Sequence, residues 1–259
     1  MTHKADKNDA RGIAQVVRTG WSKAVHAKSR SSREQRALLI SRRLVLQQAL
    51  KLENSIRGTL KAFGHKLPCS ARPQFEVRVL ERLGAEPALL AIVQPLLEAR
   101  RAWLASFDML HRQLLAAVRH QDAACRRMMT VPGVGPVTAM TFRMAGDDPA
   151  RFRRSKAVGA MFGLVPRKHQ SGSVDRDGHI TRAGDGLVRA ALDEAAPTLL
   201  ARVPQASRLK AWATRLAKRA GGRRARVGVA RKLAVVLPRL WLEGTVFHPG
   251  LEEGRAVSA

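Results

Sequence analysis

Apolar residues recur with helical spacing over residues 31–63, and this pattern is the first guide to the fold. Two rows of residues seven positions apart run along the segment: Leu38, Val45 and Leu52, accompanied by Ala49, Ile56 and Phe63. Such heptad spacing is typical of long helices that pack against a partner helix. Arg42 interrupts this pattern and Gly58 weakens it. Ser31 stands three residues before Glu34, which is the spacing of a capping box, so we expect the helix to begin there.

A second helical block is predicted for residues 74–129. Its apolar residues again keep heptad spacing: Leu83, Leu90, Leu97 and Leu104, with Val93, Phe107, Leu114 and Val118 alongside. Pro87 and Pro95 should begin or kink helices, because proline lacks a backbone donor and clashes with the preceding turn. Residues 64–73 are rich in Pro, Gly, Ser and Cys and predict a loop. Two apolar stripes joined by a loop most simply form an antiparallel helical hairpin over 31–124, used for packing or dimerisation.

The segments that flank this hairpin differ from it and from each other. Residues 1–30 are polar, and Ala10–Val17 can form one brief helix that Gly20 would end. This segment is too short to fold alone, so we interpret it as the end of a larger domain. Glycine and proline become frequent after the hairpin, and we predict a compact domain over 125–220. A basic terminal helix and tail would then occupy 221–259.

The charge balance indicates a polyanionic partner. Lys and Arg number 47 against 20 Asp and Glu, which gives a net charge of +27, while 45% apolar residues provide for a core. Such an excess repels itself unless a polyanion neutralises it, so nucleic acid is the favoured partner. A ribosomal-type structural protein or a protein of the membrane surface is the alternative.

The cysteines and the apolar runs exclude other classes. Cys69 and Cys125 stand alone, which supports neither a zinc site nor a disulfide scaffold. No apolar run approaches the roughly 18 residues that a membrane span needs. We therefore expect a cytoplasmic, nucleoid-associated protein without membrane contact.

A turn with two glycines is a candidate phosphate-binding site. The sequence VPGVGPVTA at residues 131–139 has the pattern of a helix-hairpin-helix. Gly133 and Gly135 would let backbone N–H groups approach an anion, and the start of the next helix adds partial positive charge. The alternative is a tight turn between helices that binds nothing.

The basic residues that follow are candidates for further contacts with DNA. They comprise Arg151, Arg153, Arg154, Arg167 and Lys168. Alternating apolar and basic residues suit a helix with one face in the core and one on phosphates. A merely solvated basic face is the alternative.

Ser171 lies in a Ser-Gly-Ser segment that we interpret as a flexible loop. Such a loop lets a hydroxyl reach a large electrophile such as a phosphodiester, and His169 could act as its base or acid. Nearby cations could hold the phosphate: Arg167, Lys168, Arg176 and Arg182. A plain Gly/Ser linker is the alternative.

Two carboxylates near the N-terminus are candidate metal ligands. Asp6 and Asp9 are three residues apart and share one face if helical. Paired carboxylates are the oxygen ligands that Mg²⁺ uses in phosphoryl transfer. Two acids at the start of a helix are also ordinary partners of its dipole.

Taken in order, these segments resemble the DEDD-type transposases of bacterial insertion sequences, in the insertion-sequence-110/116/902 family. Lys4 to Ala10 (KADKNDA) looks like the motif that closes the family's RuvC-like nuclease domain. Met129 to Ala196 is similar to its C-terminal domain, and Ala225 to Ala234 to its terminal helix. The most specific element is the pattern Ser171-Gly172, Gly178, Ile180-Thr181, Gly184 and Arg189.

The resemblance implies a fold and a function. The fold would be mainly α: the long antiparallel hairpin, then a compact helical domain containing the helix-hairpin-helix, with a short remnant of a RuvC-like α/β domain at the N-terminus. The function would be DNA transposition by cleavage and strand exchange, with Ser171 as nucleophile and Ser173 as the fallback. Asp6 and Asp9 would match the last two of four acids that bind Mg²⁺.

The resemblance also implies partners. These are DNA, a structured guide RNA from the element and further copies of the chain. Arg182, Arg189, Arg223 and Arg224 join the candidate DNA-binding residues. A non-catalytic nucleic-acid-binding protein is the alternative function.

This chain departs from the family pattern at a few positions. Arg182 and Asp185 stand where lysine and asparagine are common, and Asp185 puts negative charge near a phosphate site. The family's first Asp and its Glu would lie before the matching region, so we expect this chain alone to be inactive in transposition.

Overall fold

The computed structural model describes residues 5–21, 25–68, 71–152, 155–172, 174–204 and 206–250. Its helices in the first half are α1 (Asp6–Arg18), α2 (Arg30–Ala62), α3 (Gln74–Leu83) and α4 (Pro87–Ala116), the last prolonged by a π-turn at Ala117–Gln121. The second half contains α5 (Ala123–Met128), α6 (Pro136–Gly146), a 3₁₀ turn at Pro149–Phe152, α7 (Ser155–Met161), α8 (Gly186–Pro197) with a π-turn at Thr198–Arg202, α9 (Arg208–Ala220) and α10 (Gly222–Glu243). Two strands, β1 (Pro166–Ser171) and β2 (Val174–Ile180), form one antiparallel sheet. The fold is mainly α, as the sequence predicted.

Helices α2 and α4 run antiparallel, with α3 at the tip. Glu53 accepts from the buried Arg100 at 2.8 Å, whereas Arg42, nearer the start of α2, donates to His111, nearer the end of α4. Arg42 also lies 4.6 Å above the centre of the Phe107 ring. The residue that interrupts the apolar row therefore still lies against the partner helix, its guanidinium stacked on an aromatic face.

The buried seam of α2 drifts away from the predicted heptad rows. Ala49, Ile56 and Leu60 are fully buried, whereas Phe63 at the end of the row is 61% exposed. A straight helix of 3.6 residues per turn rotates by about 20° per heptad, so a long helix does not keep one strict row in contact. The predicted start was also wrong: Ser29 caps α2 by accepting from the amide of Ser32.

The described residues form two hydrophobic cores. The smaller core lies at the tip of the hairpin and comprises Ile56, Leu60, Phe75, Val79, Leu83, Leu89, Val93 and Leu97. The larger core joins the base of α2 and α4 to helices α5 to α10. Within it, Phe142 stacks on Phe152, with ring centres 5.8 Å apart.

Helix α10 is part of the larger core. Val229, Leu233 and Leu237 are fully buried in it, and the helix contacts α5, α8 and α9. Residues 222–243 therefore pack with the compact region that precedes them. The division into four segments stays a prediction.

Candidate nucleic-acid interface

The turn between α5 and α6 is folded into the domain rather than held away from it. Val131 and Val134 are buried, and Gly133 adopts a φ of +87°. A Cβ on Gly133 would lie 2.8 Å from the carbonyl oxygen of Ala195. The lack of a side chain at Gly133 therefore allows the turn to pack closely against α8. Gly135 differs, because a Cβ added there would meet nothing within 4 Å.

The segment around Ser171 is a β-ribbon, residues 166–180, where we expected a flexible loop. Ser171 is the last residue of β1 and pairs with Val174, while Gly172 turns the chain with a φ of +56°. The residues of β1 beyond Pro166 are exposed. The loop interpretation is wrong because these residues form strands by backbone pairing. They are polar and lack the apolar alternation that would have predicted a strand. Ser171 is thereby placed at the exposed end of the ribbon.

The base of the β-ribbon is held by two glycines, Gly163 and Gly184, each of which packs against the backbone of the residues just before the other. A Cβ on Gly163 would lie 2.1 Å from the Ala183 oxygen, and one on Gly184 would lie 2.0 Å from the Met161 oxygen. Their φ angles are +64° and +82°. No other residue type fits such contacts in the left-handed region. The turn before β1 is thus locked onto the turn after β2.

Arg189 closes the same junction. Its Nη1 donates to the carbonyl oxygens of Phe162, Ala183 and Gly184 at 3.1, 2.9 and 3.2 Å. The guanidinium therefore binds three backbone carbonyls of the two turns. The role of Arg189 in DNA binding stays a prediction, whereas its contacts in the structure stabilise the fold.

Asp185 has a structural role that explains its charge near a candidate phosphate site. Its carboxylate accepts from the amide of Leu187 at 2.8 Å, which caps α8, and pairs with Arg36. Burial would raise the pKa of Asp185, but the hydrogen bonds from Arg36 and Leu187 outweigh it, so its pKa is lowered. The negative charge is therefore compensated.

A second carboxylate fastens the segment before α2 to the end of α6. Asp147 accepts from His26 Nε2 at 2.7 Å, from the Ser29 amide at 2.9 Å and from the Ser29 hydroxyl at 2.5 Å. The Ser32 hydroxyl donates to it as well. Sequence reasoning missed this cluster, and its only signal was the Ser29–Ser32 spacing of a helix cap.

The remaining predicted DNA-binding residues lie in three places. Arg151 donates to the Gly146 oxygen at 2.8 Å and so covers the end of α6. On the β-ribbon, Arg167 donates to the Thr181 oxygen at 3.4 Å and Lys168 pairs with Asp175 at 3.1 Å.

The third place is the corner between α9 and α10. The exposed cations there are Lys218, Arg219, Arg223 and Arg224. Residues 201–232 contain eleven Lys or Arg and no Asp or Glu.

Arg182 is exposed at a φ of +56° beside the ribbon. Arg153, Arg154 and Ser173 lie outside the described residues.

The predicted metal ligands lie on α1. Asp6 and Asp9 are exposed in its first turn. In the part of the chain that the structure describes, no group of three or more His, Cys, Asp or Glu side chains could hold an ion. Two solvated carboxylates are therefore not a magnesium site by themselves.

No helix among the described residues is long and apolar enough to cross a membrane.

The sequence of this chain is similar to those of known transposases. Residues 125–211 match the model of the transposase IS116/IS110/IS902 family. The transposase for insertion sequence element IS1111A of Coxiella burnetii is 29% identical, over 91% of this chain and 66% of that protein. A putative transposase, y4pF/y4sB, of Sinorhizobium fredii is 28% identical over 98% of this chain and 66% of its own length.

A third relative extends the same similarity. The probable family 20 transposase of Pseudomonas aeruginosa is 27% identical over 95% of this chain. The chain spans about two thirds of the length of the first two relatives, whose alignments cover 66% of them. Residues 125–211 therefore match the model of this transposase family, and similarity to its named transposases extends along almost the whole length of the chain.

Proposed function

We propose that this chain acts in the transposition of an insertion sequence, by binding DNA and attacking it with the hydroxyl of Ser171. The observation that carries the proposal is the exposure of Ser171 at the end of the β-ribbon, inside the segment that matches the transposase family. An exposed hydroxyl on an ordered element can meet a duplex without the body of the domain in the way.

The proposed reaction is a phosphoryl transfer. The Ser171 Oγ attacks a DNA phosphorus and forms an Oγ–P ester, while one P–O bond of the DNA backbone breaks. The hydroxyl proton passes to a base, and the departing deoxyribose oxygen takes up a proton. Neighbouring cations would stabilise the charge that develops on the phosphate. Arg167, Arg176 and Arg182 are exposed candidates on the ribbon and beside it.

Electrostatics supports DNA as the partner. A net charge of +27 favours release of counterions from a nucleic-acid backbone. Gly135 opens outward at the start of α6, where backbone N–H groups can face a phosphate. Arg223 and Arg224 are exposed in the first turn of α10 and would add contacts at a second place.

Further partners are proposed on the family resemblance. They are a structured guide RNA from the element and a second copy of the chain, with the helical hairpin as the contact region. A divalent metal would need more ligands than Asp6 and Asp9, because the described residues contain no cluster that holds an ion. We therefore assign no step of the reaction to a metal.

A non-catalytic nucleic-acid-binding protein is the second candidate. The exposed and unclustered state of Asp6 and Asp9 favours it, because these carboxylates then serve α1 only as ordinary acids of the first turn. Such a protein would use the same exposed cations but would form no bond to DNA.

A covalent adduct separates the two candidates. We would incubate the chain and its Ser171→Ala variant with a radiolabelled duplex from an insertion-sequence end, then denature the samples and resolve protein–DNA adducts on a gel. The proposal expects an adduct with the parent chain, none with the variant, and nearly equal DNA affinity for both. An adduct that persists in the variant contradicts Ser171 as nucleophile, and binding without any adduct supports the second candidate.

A further inference from the structure

The β-ribbon has two chemically different faces. In antiparallel pairing, residues directly opposite each other project to the same face, and neighbours along a strand project to opposite faces. Ser171 pairs with Val174 and His169 pairs with Arg176, so these four side chains share one face. We call it the serine face. Gln170 pairs with Asp175 and lies with Lys168 on the other face, the carboxylate face.

The position of the His169 ring agrees with the assignment of the serine face. A Cβ added to Gly178 would lie 3.2 Å from Nε2 of His169. Gly178 is two residues beyond Arg176 and so projects to the same side. The imidazole therefore lies across the strand over a position without a side chain, beside Arg176 rather than beside Asp175.

The charges on the two faces differ. Lys168 Nζ lies 3.1 and 3.2 Å from the two oxygens of Asp175, so the cation of the carboxylate face is compensated on that face. On the serine face, Arg176 and His169 are exposed, and no carboxylate projects there among the described side chains. A phosphate backbone is therefore attracted to the serine face, and it gains little electrostatic attraction from the carboxylate face.

We propose that the nucleic-acid backbone lies across the serine face, with Arg176 contacting the phosphate next to the one that Ser171 approaches. This rests on the proposed function, which it deepens by naming the face and the contact residue. The proposal also gives different roles to two cations that are close in sequence. Arg176 binds phosphate, whereas Lys168 pairs with Asp175 and stabilises the ribbon. A two-stranded ribbon is narrow enough to lie in a DNA groove, which makes such a one-sided contact possible.

Photocrosslinking tests which face meets DNA. The photoreactive residue p-azidophenylalanine would replace Val174 on the serine face or Gln170 on the carboxylate face, both exposed. Each variant is bound to a labelled duplex at low salt and irradiated. We expect position 174 to crosslink several-fold more strongly than position 170. Equal yields, or a stronger crosslink at position 170, with DNA still bound, would overturn the face assignment and leave the proposed function intact. Absence of any complex in the same samples would overturn the proposed function itself.

Matched charge removals test the contact residue. Arg176→Gln and Lys168→Gln change the net charge equally on the two faces. Loss of one phosphate contact weakens binding and reduces the slope of log K against log salt by about 1. We expect that reduction for Arg176→Gln and a clearly smaller one for Lys168→Gln. The same reduction in both variants, or a larger one for Lys168→Gln, would contradict the assignment of Arg176.

Discussion

The hydroxyl of Ser29 donates to the carboxylate of Asp147 at 2.5 Å across 118 positions of the chain. The same hydroxyl accepts from the amide of Ser32 at 3.2 Å and thereby caps α2. Asp147 itself ends α6 with a φ of +65°. One serine therefore begins a helix of the hairpin and ties it to the domain that carries the β-ribbon.

Asp147→Ala should destabilise the protein. The side chain of Asp147 is 7% exposed and accepts from several donors, which lose their partner in the variant. Leaving such donors unpaired costs about 2–3 kcal/mol. Urea denaturation followed by circular dichroism measures the free energy of unfolding. The matched control is Asp108→Ala on the exposed side of α4, which should change it by less than about 0.5 kcal/mol. Equal losses in the two variants would contradict the importance of the Asp147 cluster.

The same carboxylate should make stability depend on acid. Burial would raise the pKa of Asp147, but the hydrogen bonds from Ser29, Ser32 and His26 hold it below the ordinary value. Its contribution is therefore complete above the unfolded pKa of about 3.9 and is lost as the pH falls towards the folded value. Denaturation at pH 7 and pH 3 should show the gap between parent and Asp147→Asn narrowing by about 1 kcal/mol in acid. A gap that is constant or widens would contradict this sign.

Gly184→Ala should be severely destabilising. The new methyl carbon would lie 2.0 Å from the Met161 oxygen at a φ of +82°. Clash and conformation together should cost about 4 kcal/mol or more, seen as loss of the cooperative thermal transition or of soluble protein. Gly64→Ala is the control, because Gly64 has a φ of +84° but open space around it. Its loss should stay near the roughly 1–2 kcal/mol of the backbone conformation alone. Similar losses in both would show that the contact itself is unimportant.

Arg189→Lys should affect folding before it affects DNA affinity. The charge is kept, but one ammonium cannot reproduce the bonds of the guanidinium to Phe162, Ala183 and Gly184. We expect a loss of about 1–3 kcal/mol in the free energy of unfolding. DNA affinity, measured well below the melting temperature, should change little. Unchanged stability with lost affinity would instead make Arg189 a direct DNA contact.

Arg223→Gln/Arg224→Gln should weaken DNA binding without unfolding the protein. Both side chains are exposed at the start of α10. Loss of two phosphate contacts should reduce the slope of log K against log salt by about 2 in fluorescence anisotropy titrations. The control Arg43→Gln/Lys51→Gln removes the same charge from exposed positions of α2. If both pairs reduce the slope equally, the effect is one of net charge and not of the corner between α9 and α10.

Local patterns predicted the helical part of the fold well. Pro87 does begin α4, and residues 64–68 and 71–73 lie outside helices. Both follow from chemistry within one turn of chain: a proline without a donor, and small or polar residues that favour turns. The role of Ser171 as nucleophile came only from a family pattern and stays a prediction.

The β-ribbon could not be predicted in this way. Its strands read PRKHQS and VDRDGHI, which lack the apolar alternation that marks a half-buried strand. They are strands because they pair with each other.

The sequence by itself determined the helices, the hairpin and the cationic character of this protein, because periodicity, proline and charge act over a few residues or over the whole composition. Only the tertiary structure decided which cations bind groups of the protein itself and which stay exposed. Arg189 binds carbonyls, Lys168 binds Asp175, and Ser29 reaches Asp147. No local pattern encodes these pairings, because Ser29 and Asp147 are 118 positions apart and Lys168 meets Asp175 only where β1 pairs with β2.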